Sequence, residues 1–204
     1  MALKKYSMSF TTGALLKRES LIIAELYAQM GSWDKVREVF FDNNVLQTRT
    51  LATAKKLWRE ISSRLMQLTK EELTLLLASS PQEQGHLLWL AICRRYAFIG
   101  DFAVEVVRER FLSLQHSLTH EQYDIFFNSK ADWHDEPGKI APSTKTKLRS
   151  NLFKMLKEAD LLDGENMIIP AMLTPIIITT LMKHSPAELA VFPMMETYLK
   201  EHGK

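Results

Sequence analysis

The 204-residue chain is 46% hydrophobic and 25% charged, with a formal net charge of +2. That balance excludes a disordered polyelectrolyte and leaves room for one large or two small folded domains. The single cysteine, Cys93, can neither form an intrachain disulfide nor complete a thiolate metal set, and no apolar run of signal-peptide length follows MALKKYSMSFTTG, so the expectation is a cytoplasmic protein.

Seven glycines and seven prolines among long runs of helix formers predict an all-α, mainly helical fold. Apolar spacing of three and four predicts helices over about 11–30, 33–42, 49–67, 70–79, 81–97 and 101–115. Capping boxes mark helix starts at Thr69/Glu72, Ser80/Glu83, Thr119/Gln122 and Ser185/Glu188, with Pro81 and Pro186 at first helical positions. In the third helix the spacing of Leu51, Ala54, Trp58, Ile61, Leu65 and Leu68 predicts a buried stripe. Opposite it project Lys55, Lys56, Arg59, Ser62 and Ser63, with Arg49 near the start, a candidate second nucleic-acid surface. Trp33, Phe40, Phe41, Trp58, Trp89, Phe98 and Phe102 read as bundle core, and Cys93 as a small buried hydrophobe.

After His116 the texture changes. A short amphipathic helix at Thr119–Lys130 leads into a polar connector broken by Pro137, Gly138 and Pro142. Then six lysines and arginines fall between Lys139 and Lys157 with no acid among them. Beyond this basic helix, Leu161-Leu162 and Met167–Ile169 flank Asp163-Gly164-Glu165-Asn166, which is hairpin chemistry. Helix, connector, basic helix and small β-hairpin make a winged-helix-like module. The organisation expected is an N-terminal helical bundle over 1–117 and a module over 118–204 that ends in a C-terminal helix.

With Ser143 as N-cap and about 100° per residue, Leu148, Leu152, Met155, Leu156 and Ala159 share the core-facing arc. Thr146, Lys147, Ser150, Lys154 and Lys157 occupy the opposite arc, and Thr144 and Lys145 sit on an exposed first turn. Together with Ser143 and Arg149 these are the candidate nucleic-acid contacts: hydroxyls for base edges or phosphates, and cations that displace counterions. The free N–H groups of the helix start also favour a phosphate.

No glycine-rich phosphate loop, GxSxG, HExxH or Cys/His zinc spacing occurs, so neither an enzyme nor a cofactor is expected. Asp132, His134, Asp135 and Glu136 crowd a connector that reads as a solvated turn, so no metal is expected there. Thr119 as N-cap separates His116 from His120. Ile168–Met182 spans about fifteen residues with two prolines, against roughly twenty for a membrane helix, and is read as a buried strand and helix.

Three stretches, YSMSFTTGALLKRES at 6–20, LLWLAICRRYAFIGDFAVEVVRER at 87–110 and STKTKLRSNLFKMLKEADLL at 143–162, together resemble the BrxA family of bacterial BREX (bacteriophage exclusion) phage-defence systems over nearly the whole chain. The resemblance implies a small, non-enzymatic, mostly helical cytoplasmic protein, encoded beside a methyltransferase, an ATPase and a phosphatase-like protein. It implies nucleic-acid binding, carried by Ser143–Lys157, and an N-terminal bundle similar to that of the antitermination factor NusB, an RNA-binding fold. The expected partner is duplex DNA, with RNA binding or an adaptor role among other BREX proteins as alternatives.

Overall fold

The computed structural model describes residues 5–12 and 14–195. Its first half is helical: α1 (Lys17–Met30), α2 (Trp33–Asp42), α3 (Leu51–Leu65), α4 (Lys70–Ala78) and α5 (Pro81–Arg95). Local chemistry sets several of these ends. At α4, Thr69 and Glu72 form a reciprocal capping box at 2.7 and 3.2 Å, and at α5 Ser80 and Glu83 do the same at 2.8 and 3.4 Å. The α1 helix stops at Gly31, whose φ of 66° suits a residue without Cβ and whose N–H bonds the Tyr27 carbonyl at 2.8 Å.

The next helix starts earlier than its sequence pattern predicts. It runs as α6 (Ala97–Phe102), a π-helical stretch over Ala103–Arg108, and α7 (Glu109–Leu112). Gly100, which falls between the helices expected at 81–97 and 101–115, lies inside it. A Cβ there would meet the Cys93 carbonyl oxygen at 3.1 Å, so a side chain at this position would require α5 and α6 to shift apart by a few tenths of an ångström.

The second half comprises α8 (His120–Ala131), the single turn α9 (Asp135–Gly138), α10 (Pro142–Glu158), α11 (Pro175–His184) and a 3₁₀ turn (Pro186–Val191). The expected hairpin is reduced, among the described residues, to isolated antiparallel bridges between Leu162 and Ile168 and between Ser117 and Met167. The Asp163 carboxylate accepts the Glu165 and Met167 N–H groups at 2.9 and 2.8 Å, closing the loop too tightly for a longer ladder. The Ser185/Glu188 box does not form. Glu188 is taken by Arg94, and the segment tightens into the 3₁₀ turn instead of a closing α-helix. Residues 196–204 of the expected C-terminal helix lie outside the described residues.

The apolar core continues across residue 117. Phe98 on α6 meets Tyr123, Phe126 and Phe127 of α8 with ring centroids at 6.1, 5.1 and 5.7 Å. The N-terminal arm fastens α10 to the bundle. Asn151 of α10 donates to the Phe10 carbonyl at 3.0 Å, and Glu158 accepts the Leu15 N–H. From the other side, Arg64 of α3 donates to the Ala14 carbonyl at 3.0 Å, held by the buried Glu60 carboxylate that also accepts the Tyr96 hydroxyl at 2.6 Å. The buried face of α10 is thereby committed, and its other face is turned to solvent.

Candidate nucleic-acid interface

The helix α10 begins two residues before the position expected from sequence. Pro142 is its first residue and Ala141 its N-cap, so Ser143 lies inside the first turn rather than capping it. Proline's fixed φ suits the first helical position, and the N–H it lacks would be unpaired there in any case. Leu148, Leu152, Met155, Leu156 and Ala159 are fully buried, as their spacing predicts, and Asn151 and Phe153 join them.

The exposed arc carries Ser143, Thr146, Lys147, Ser150 and Lys154. Lys147 has no hydrogen-bond or ion-pair partner among the described residues. Lys154 lies loosely beside Glu158 at 3.7 Å. Lys157 is half-buried and donates to the Gly164 carbonyl at 3.0 Å, which ties the tight turn to the end of the helix. Thr146 donates to the Pro142 carbonyl at 3.1 Å, leaving its oxygen as an acceptor.

Lys145 and Arg149 do not stand free on this face. Both turn onto the flank against α8, where Asp124 pairs with Arg149 and, at 3.3 Å, with Lys145. The Lys145 ammonium also donates to Asn128 at 2.9 Å and lies 4.8 Å from the centre of the Phe127 ring. One turn on, His120 meets Phe153 edge-on at 4.8 Å. Partners 120/153, 124/149 and 128/145 step four forward on α8 as they step four back on α10, so the two helices run in opposite senses. The expectation of Thr144 and Lys145 on an exposed first turn is therefore corrected: both are half-buried.

On α3, Lys55, Lys56 and Arg59 are exposed and without partners among the described residues. Ser62, expected beside them, is buried and donates to the Trp58 carbonyl at 2.6 Å, because α3 packs against both α1 and α5. Sequence reasoning also missed Asp124. Nothing local marks one of the two acids on α8 as the counter-charge to residues more than twenty positions away.

The remaining polar clusters are already engaged. A cleft of about 390 Å³ between α6 and the 3₁₀ turn is lined by Cys93, Arg94, Asp101 and Glu188. Every N–H of the Arg94 guanidinium has an acceptor in Glu72, Glu188 or the Gln67 carbonyl, and burial pushes the Cys93 thiol up. In the connector, His134 stacks on Tyr6 at 4.0 Å and Asp135 pairs with Lys139 at 2.9 Å. Among the described residues no three His, Cys, Asp or Glu side chains converge as a metal set, and no helix is long and apolar enough to cross a membrane.

Comparison with known proteins adds the lineage. The sequence model of the BrxA family matches residues 4–185. The chain is 31% identical over 151 residues to the BREX protein BrxA of Escherichia coli O9:H4 (strain HS), covering 74% of this chain and 71% of that protein. It is 27% identical over 165 residues to the BREX protein BrxA of Paramagnetospirillum magneticum (strain ATCC 700264 / AMB-1), covering 78% and 79%. A crystal structure of an uncharacterized protein from Magnetospirillum magneticum matches the fold with a TM-score of 0.77 at 20% identity, covering 94% of this chain and 99% of that one. The family match over most of the length, together with a relative above the level at which common descent is secure, means that the chain belongs to the BrxA family of BREX phage-defence systems.

Proposed function

We propose that this chain is a non-enzymatic, duplex-DNA-binding component of its BREX system, acting in the cytoplasm through contacts made mainly with phosphates. The observation that carries the reading is the outer arc of α10. Lys147 and Lys154 lie about two turns apart on one helix whose only acid is Glu158, with the hydroxyls of Ser143, Thr146 and Ser150 on the same arc and the half-buried Lys157 at its edge. Cations at that spacing can neutralise successive phosphates, and the hydroxyls can donate to phosphate or base edges. The order α8, α9, α10 and bridged turn, with residue 117 paired to the turn, supports a winged-helix reading that puts α10 in the recognition position. The turn itself carries Asp163 and Glu165, so on this reading it braces Lys157 and contributes no phosphate contact.

A second reading, an adaptor among other BREX proteins, is favoured by Trp133 at 75% and Ile125 at 62% exposure on the outer side of α8 and its continuation. Large exposed apolar side chains of this kind are common anchors at protein interfaces. Fluorescence anisotropy on one labelled duplex, titrated across salt, separates the readings. DNA binding predicts that the logarithm of affinity falls linearly with that of salt, by about 0.9 per phosphate neutralised. Lys147→Glu with Lys154→Glu should abolish binding while leaving the melting temperature near that of wild type. Absence of duplex binding at low salt would leave the adaptor reading, and tighter binding to single strands or RNA of the same sequence would change the nucleic acid.

A further inference from the structure

We infer that Asp124 on α8 withholds Lys145 and Arg149 from DNA, so that the strength of binding by α10 is set from the neighbouring helix; this rests on the DNA reading above. One carboxylate faces two cations that lie one turn apart on α10, at 3.3 Å from Lys145 and in direct contact with Arg149. Asn128 and the face of Phe127 complete the seat of Lys145, with the ammonium 2.9 Å from the amide oxygen. Both cationic side chains are less than a quarter exposed, 24% and 22%, whereas that of Lys154 on the outer arc is 59% exposed. They are thus turned away from the solvent that a duplex would displace.

The seat is nonetheless incompletely neutralised. Two positive charges meet one negative charge, and Asp124 accepts from a single terminal nitrogen of Arg149, whose remaining N–H groups have no acceptor among the described residues. A guanidinium offers five donors, and phosphate is a strong competitor for them. Lys145 and Arg149 lie about 100° round the helix from Thr146 and Ser150, the outer-arc residues that follow them, so once released from Asp124 their long side chains would swing from the α8 flank to reach a phosphate at its edge. What opposes the rotation is the charge of Asp124. Removing that charge without removing the side chain should add two cations to the DNA face.

The test is salt-dependent anisotropy on a labelled random-sequence duplex, using the full chain. Asp124→Asn is expected to bind more tightly at low salt, with a log–log slope steeper by about 0.9 for each released cation, or about 1.8 for both. At 0.1 M relative to 1 M salt this amounts to about eight-fold in affinity per cation. Lys145→Gln with Arg149→Gln should leave the slope unchanged in the wild-type background and abolish the gain in the Asp124→Asn background. An unchanged slope in Asp124→Asn overturns the inference, as does a gain that survives the double glutamine substitution. Should Asp124→Asn prove too unstable to assay, the double glutamine variant alone decides, because a loss of slope there means that both cations already touch DNA. Failure of the underlying DNA reading looks different, since wild type itself would then bind no duplex at any salt.

Discussion

Replacing Arg94 by methionine tests how the bundle is held together. Arg94 on α5 bridges the Glu72 carboxylate of α4, at 2.6 and 2.7 Å, and Glu188 of the 3₁₀ turn, at 2.6 Å. Glu72 is fully buried, whereas Glu188 is partly exposed. Deleting the cation of a buried pair leaves an unpaired charge and costs about 3–5 kcal/mol, with little added by the exposed partner. For a chain of this length that corresponds to a fall of roughly 6–20 °C in melting temperature. The pH dependence gives the sign. Burial raises the Glu72 pKa, but hydrogen bonds from Arg94 and Thr69 outweigh it and hold the carboxyl below its ordinary 4.5. In wild type its contribution is therefore present above about 4.5 and lost as pH falls through the lower folded value. In Arg94→Met, protonation instead relieves the stranded charge, so the gap between variant and wild type should narrow between pH 7 and pH 4. Urea unfolding at several pH values, with Arg94→Met/Glu72→Gln recovering part of the loss, measures this. A loss below about 1 kcal/mol, or a gap independent of pH, would refute the reasoning.

Two further substitutions probe the packing behind α10. Gly85→Ala would set a Cβ 3.3 Å from the Ala159 Cα and 3.4 Å from the Glu158 carbonyl oxygen, both backbone atoms. Overpacking of about 1–3 kcal/mol should exceed the roughly 1 kcal/mol gained in helix propensity, giving a lower urea midpoint, and a higher one would contradict the close approach of α5 to α10. His86 is fully buried, neither ring nitrogen has a hydrogen-bond partner among the described residues, and burial lowers its pKa from 6.5 to about 4. The unfolded chain then binds the extra proton first, so wild type should lose stability as pH falls from about 6.5 toward about 4. His86→Leu should remove that component and match or exceed wild type at pH 5; an undiminished pH dependence would show that the loss arises elsewhere.

The sequence was most legible where structure is local. Thr69 and Ser80 each sit within one helical turn of the N–H groups they satisfy, and the helix starts fall where those residues, with Pro81 at the first position of α5, place them. The buried arc of α10 followed from the 3.6-residue period alone, since Leu148, Leu152, Met155, Leu156 and Ala159 have no alternative face. Errors arose where a distant group competes with a neighbour. Glu188 pairs with Arg94 rather than capping Ser185, and Lys145 and Arg149 turn to Asp124 rather than to solvent. The helix expected from 101 in fact starts at Ala97, because nothing local in the sequence reveals the Cys93 carbonyl against which Gly100 of α6 packs. Charge content was thus readable from the sequence, while the share of it left free on the surface was not.

The central claim is that DNA lies on the outer arc of α10, and lysine acetylation read by mass spectrometry, with and without saturating duplex, tests it most directly. Lys147 and Lys154 are exposed and should be protected by the duplex, while Lys139, paired with Asp135 one turn back, and Lys183, paired with Glu71 of α4, should react equally in both samples. Protection absent from Lys147 and Lys154 under conditions where the duplex is bound would contradict the account and place the DNA on another face of the protein.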